Sequence, residues 1–319
     1  KLSLFKTGDL MKKDIMKKNL IKNKLIFILI LVVGLVLMAA FSEPKIEAKP
    51  KTKTTAIDRS IAAHPSQVTR QELKLLLAQN PDSSDFKLAE RKIVSAVLPH
   101  HLVAAPLLLE VCTLLAEQKP KCLIVIGPNH ENKAAKIISG TYGWQTPDGV
   151  LATEEDAVQQ LWQKGLAVIN EEVLATEHSI GALAPLLKHF VPEAKIIPII
   201  LQYGVSLQEV DALLDGLEPF LDGDTVLISS VDFSHYLTRS EAEAKDRVTL
   251  AYMNNFDYPA LFALDDSYLD SPASLAAAFR LAERRGIRSF TVLGNTNSGR
   301  ILQNDYLETT SYFTILFTE

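Results

Sequence analysis

The sequence predicts an α/β protein: a single three-layer α/β/α domain with a mixed, mostly parallel sheet, preceded by an amino-terminal membrane anchor or signal segment. Three observations predict it. From Lys92 onward, apolar runs alternate with amphipathic segments, the rhythm of βαβ units that cover both faces of a sheet. Several of those runs end in small polar clusters, AVLPHH at His101, LIVIGPNH at His130, VLISSVDFSH at His235 and FTVLGNTN at Asn297. Strand carboxyl ends in such sheets open onto one ligand crevice, so the clusters converge. Ahead of them, a lysine-rich stretch precedes an apolar run.

Residues 1–24 carry Lys12, Lys13, Lys17, Lys18, Lys22 and Lys24 and read as a basic n-region. Residues 25–41 follow as a hydrophobic anchor or signal peptide, at the short end of what spans a bilayer. Ala40 and Ser42 are small, so cleavage after Ser42 is the alternative to an uncleaved anchor. We favour the anchor, with the lysines cytoplasmic and the domain on the extracytoplasmic side. If the signal is cleaved, the domain is exported. No cysteine follows the run, so no lipoprotein attachment is predicted.

Residues 42–58 are rich in Pro, Lys and Thr and read as a solvated linker. Residues 59–90 form a helical arm, in which Thr69-Arg70-Gln71-Glu72 is a capping box opening a short helix through Leu76. His64, in front of it, is expected to be exposed. Residues 91–319 form the main domain. Strands are predicted near 93–98, 122–127, 195–201, 225–231, 289–293 and 311–317, with helices near 102–118, 153–164, 179–190, 206–221, 239–254 and 271–285. Thr153-Glu154-Glu155-Asp156 and Ser206-Leu207-Gln208-Glu209 read as further capping boxes. The last run, TSYFTILF, follows its predecessor without a helix, which predicts an antiparallel neighbour and a mixed sheet. Cys112 and Cys122 are expected as buried thiols rather than a disulfide.

Composition narrows the function. The 33 Lys and Arg residues do not exceed the 38 Asp and Glu, and the net charge is -5. No nucleic-acid partner is expected of such a chain. The clusters instead suggest a metal or acid/base site. Pro99 turns the chain so that His100 and His101 project into the crevice. Gly127-Pro128-Asn129 does the same for His130, and Asn129 is a candidate for substrate contact. Asp232 and His235 lie three residues apart at a turn, where a carboxylate orients an imidazole or ligates beside it. Trp144, in GWQTPDG, is divided between core packing and ligand stacking. Asn297 either binds substrate or caps a turn, and Tyr236 either donates to a ligand or is partly buried packing.

The series PHHLVA, GPNH, WQTPDG, EHSIGALAP, SSVDFSHY and GNTNSGR with TTSYF resembles the Memo-like family, AmmeMemoRadiSam system protein B. The resemblance implies a fold related to the class III extradiol ring-cleaving dioxygenases, which hold non-haem Fe(II) with two histidines and a carboxylate. By motif, His100 and His130 match the family's metal-facing histidines, Asp232 and His235 its Asp and His beside that site, and His178 a further pocket histidine. Two departures stand out. GNTNSGRIL has no cysteine where animal Memo proteins place one, and HSIG puts Gly181 where the related HSIE motif has a carboxylate.

The sequence therefore predicts a divalent metal on His100, His130 and Asp232, with Fe(II) favoured and copper or zinc as alternatives. His235, His178 and Asp232 are the candidate catalytic groups. His101, Asn129, Trp144, Asn297 and Tyr236 are the candidate substrate contacts. The expected activity is that of an exported or membrane-tethered metalloenzyme acting on a small molecule or modified peptide. The alternative is a non-catalytic metal- or ligand-binding maturation partner of a radical-SAM system, and the resemblance implies radical-SAM and AMMECR-type proteins as partners.

Overall fold

Buried apolar strands set the architecture, and each has a short connection to the next element. The computed structural model describes residues 62–79, 86–306 and 308–319. Its strands are β1 (Ala63–His64), β2 (Ile93–Leu98), β3 (Cys122–Pro128), β4 (Ile137–Ser139), β5 (Gly143–Thr146), β6 (Gly149–Leu151), β7 (Val168–Ile169), β8 (Lys195–Leu201), β9 (Thr225–Ser230), β10 (Thr291–Asn297) and β11 (Ser311–Thr318). The α-helices are α1 (Arg70–Leu77), α2 (Ala105–Gln118), α3 (Glu155–Gln163), α4 (Glu171–Thr176), α5 (His178–Gly181), α6 (Ala184–Phe190), α7 (Leu207–Leu217), α8 (Arg239–Asn254), α9 (Tyr258–Phe262), α10 (Pro272–Arg284) and α11 (Ser298–Ile301).

The main sheet has the order β10-β11-β2-β9-β3-β8-β4-β7. Its centre, β2, β9, β3 and β8, is parallel. β11 is antiparallel to both β2 and β10, so the sheet is mixed as the sequence predicts. Alternate side chains of the central strands go to opposite faces. Ile124, Ile126, Ile197 and Leu227 pack with α7 and α10 on one side. Leu123, Val125, Ile196 and Ile228 pack with α2 and α6 on the other. This two-sided burial explains why β3 and β8 read as continuous apolar runs. The capping boxes at Thr69 and Ser206 are both present.

The structure corrects the sequence reading in several places. Thr153 caps nothing: its hydroxyl donates to Tyr142 O at 2.8 Å, it bridges to Ile196, and α3 starts from Glu154 without a side-chain cap bond. The predicted helix near 179–190 is two, α5 and α6, and the penultimate strand runs over Thr291–Asn297 rather than 289–293. Thr238 with Glu241 forms a capping box that the sequence reading passed over. A small second sheet, β1-β5-β6, is made of strands too short to show a period. His64 belongs to it and is buried, 3% exposed, against Glu171 and Trp144 rather than standing in solvent.

Cys112 and Cys122 are free thiols, and burial pushes both up to about 12. The arm and main domain, residues 59–319, form one compact unit. The predicted n-region, anchor or signal and linker lie outside the described residues, among which no helix is long and apolar enough to cross a membrane.

Candidate metal centre

Register alone brings two of the histidine clusters together. β9 lies between β2 and β3, with Leu98 opposite Ser230 and Ile126 opposite Ser229. Immediately past these ends come His100 on β2, His130 on β3, and Asp232 on β9. A third imidazole arrives by another route. Ser179, inside α5, donates to Pro128 O at 2.9 Å and packs onto Gly127, where a Cβ would sit 2.6 Å from Ser179 Oγ. The glycine of GPNH thus lets α5 close on the strand end, and His178 stacks on His130 with ring centroids 4.1 Å apart. One ligand atom each of His100, His130 and His178 lies within 4.8 Å of the others.

The hydrogen bonds around these rings fix which nitrogen faces the centre. Ser230 Oγ spends its proton on Ser179 O at 2.5 Å, so the 3.0 Å contact with His100 Nδ1 requires that Nδ1 be the donor. That leaves the lone pair on His100 Nε2. His130 Nδ1 lies 2.8 Å from Glu177 Oε1, a carboxylate acceptor, and the same logic leaves His130 Nε2 for a ligand. Glu177 also accepts from the backbone N–H of His130 at 2.9 Å and of Ser179 at 2.9 Å. Burial pushes this carboxyl up, but the hydrogen bonds from His130 and Ser179 outweigh it and hold Glu177 at about 2. It is therefore ionised, and it orients both neighbouring histidines.

On the side of these Nε2 atoms lie two buried carboxyls. His100 Nε2 is 3.6 Å from Asp232 Oδ2 and 3.4 Å from Asp270 Oδ2, and His130 Nε2 is 3.9 Å from the same Asp270 oxygen. The loop carrying Asp270 is tied to β9 by Asp232 N donating to Asp270 Oδ2 and Asp270 N donating to Asp232 O, each at 3.1 Å. Burial raises both carboxyls above the usual range, and the charge of Asp232 pushes Asp270 further up. Burial lowers His100 well below an ordinary imidazole, reinforced by His130 and His178, and lowers His178 as well. Neutral imidazoles are what a metal needs as donors.

Sequence comparison gives the family. The family model described as Memo-like protein matches residues 62–315. The chain belongs to the Memo-like family. A MEMO1 family protein of Caldivirga maquilingensis is 26% identical over 244 residues, covering 70% of this chain and 83% of that protein. One from Methanopyrus kandleri is 27% identical over 234 residues, covering 69% and 82%.

The donor set of this Memo-like chain fits a divalent cation. Three imidazoles converge, two carboxyls stand beside the Nε2 atoms of His100 and His130, and Asp270 Oδ1 is a buried oxygen with no hydrogen-bond partner among the described residues. A positive charge at the centre would offset the cost of burying those carboxyls together. Imidazole donors suit iron, copper, zinc and nickel alike, so the set does not select a metal. His178 joins His100 and His130 in the converging group, whereas the sequence reading put Asp232 there. Asp232 accepts from His100 N at 3.1 Å through Oδ1, and its Oδ2 lies 3.6 Å from His100 Nε2.

The other sequence-selected residues divide. His100, His101, His130, His178, Asp232, His235 and Tyr236 all line one cavity of about 610 Å³ in the Memo-like domain. His101 Nδ1 lies 2.6 Å from the Tyr312 hydroxyl. Burial lowers the pKa of His235, with Asp232 acting against it. Asn129 borders an adjoining lobe of about 450 Å³, but its amide is bonded to the backbone of Lys133. Trp144 is core, 1% exposed and packed on His64, so it borders neither lobe. Asn297 caps α11 by accepting from Arg300 N at 2.9 Å. Glu177 and Asp270 were not singled out by sequence. Glu177 precedes His178 in the EHSIG motif, which was signal enough; Asp270 has no local pattern, since its loop is placed by the Phe233 to Leu269 bridge.

Proposed function

We propose that this Memo-like protein is a metalloenzyme of extradiol-dioxygenase ancestry acting on a small molecule or modified peptide, with His100, His130 and His178 holding a divalent metal and iron(II) as its working metal. The observation that carries this reading is the convergence of those imidazoles on a cavity that also holds His235 and Tyr236. Bound iron(II) would supply Lewis acidity and redox capacity. His235 handles protons: burial keeps its ring neutral near neutral pH, so it accepts a proton from a substrate hydroxyl or amine. Asp232 stabilises the charged ring that results. Glu177 fixes the His130 and His178 rings through its carboxylate.

The test is oxygen uptake with a panel of catechol-like substrates, measured on iron-loaded wild type and His235→Ala. Turnover in wild type that falls by about 10²–10⁴-fold in His235→Ala, with iron content unchanged, is the expected result. No uptake by wild type across the panel would favour the second reading, a metal- or ligand-binding maturation partner. Gly181, which offers no side chain to the crevice, and the cysteine-free segment Gly294–Leu302 support that alternative.

The resemblance to AmmeMemoRadiSam system protein B supports association with a radical-SAM protein and an AMMECR-type protein, which co-purification from a native extract would test. The lysine flank of residues 25–41 supports a domain tethered outside the cytoplasmic membrane. Retention through an alkaline wash checks the tether, and release of a chain beginning near Glu43 would replace it with a cleaved signal.

A further inference from the structure

The amino-terminal arm is held at both ends of a short turn. On one side, β1 pairs with β5, and His64 Nε2 lies 3.1 Å from Glu171 Oε2 in the interior. On the other, α1 starts in the Thr69 and Glu72 capping box and buries Leu73 and Leu76. Between them Ser66 Oγ donates to Val68 O at 2.6 Å, and Val68 is buried. The backbone at Gln67 is thereby placed, while its side chain stands at the crevice.

That side chain occupies a niche created by a missing one. A Cβ on Gly181 would fall 2.7 Å from Gln67 Oε1 and nearer still to its Nε2 and Cδ. Gln67 Nε2 donates to Glu177 O at 3.1 Å, the residue before His178. No hydrogen bond to Gln67 Oε1 is made among the described residues, and Gln67 lines the same cavity as His100, His130 and His178.

We propose that Gln67 is a specificity-determining residue of this crevice: the arm lends its amide oxygen as a hydrogen-bond acceptor beside the three imidazoles, so that the site favours ligands presenting an N–H or O–H donor. A carboxylate in this place would select for charge, and an apolar side chain would satisfy no donor. The amide selects for a donor without adding charge. The inference rests on the metal reading of the imidazoles.

The test uses the full chain loaded with Co(II), whose visible spectrum reports ligands entering an open position. Imidazole and 1-methylimidazole are the probes, since both coordinate through nitrogen but only imidazole keeps an N–H. Wild type should prefer imidazole by about 5-fold, the scale of one net hydrogen bond. Gln67→Ala should bring the ratio to about 1 while Co(II) stays bound. Gly181→Ala, whose methyl evicts the amide from its niche, should do the same. An unchanged preference in both variants would overturn the assignment and leave the metal reading standing. Loss of the Co(II) spectrum in Gln67→Ala would also overturn it, by making Gln67 a support of the metal centre. Absence of that spectrum in wild type would remove both readings.

Discussion

A His100→Ala, His130→Ala double variant should lose metal altogether while keeping its fold. Two of the converging imidazoles are gone, and only His178, beside Glu177, remains of the three. Removing a single outer partner of a metal ligand costs about 10–100-fold in affinity. Removing two ligands should therefore exceed about 100-fold, which metal analysis of protein purified without a histidine-rich tag would read as empty. The fold should survive, because both residues lie beyond the strand ends and outside the apolar cores. Circular dichroism checks that condition. Metal content equal to wild type in a folded double variant would remove this site from the account.

Phe279→Ala should destabilise the domain by about 3–5 kcal/mol, the range for emptying a large aromatic site in a packed core. Phe279 is fully buried on α10 and meets Phe317 at 4.8 Å, Phe256 at 5.2 Å and Phe290 at 5.4 Å between ring centroids. These rings join α10 to the carboxyl-terminal strand, so the lost contacts bear on the sheet itself. Denaturant unfolding of the 59–319 unit measures the effect. A change below about 1 kcal/mol would mean that the neighbouring rings collapse into the space.

What the sequence made legible was local. Runs such as LIVIGP and KIIPIIL are buried on both faces and read as strands directly, and the histidines that follow them are placed by the strand ends themselves. His100, His130, His235 and Asp232 were found for that reason. Residues delivered by tertiary packing were harder to assign. His178 takes its place because Gly127 admits Ser179, and Asp270 because its loop pairs with β9. Neither relation has a sequence period. Short strands were invisible for a similar reason: β1 and β7 have two residues each, too few to alternate. His64 was misread with them, since a residue in a Pro- and Ser-flanked segment looks solvated until β5 is known to cover it. Trp144 and Asn297 sit in motifs that also carry site residues elsewhere, but their own side chains serve packing and capping.

The convergence of His100, His130 and His178 on one metal ion is the claim on which the functional reading depends. X-ray absorption of the metal-loaded 59–319 unit, prepared without a histidine-rich tag, tests it most directly. The predicted result, with zinc as the probe, is a first shell containing three imidazole nitrogens at about 2.0–2.1 Å, with the remaining position filled by oxygen. A shell with one imidazole or none would contradict it.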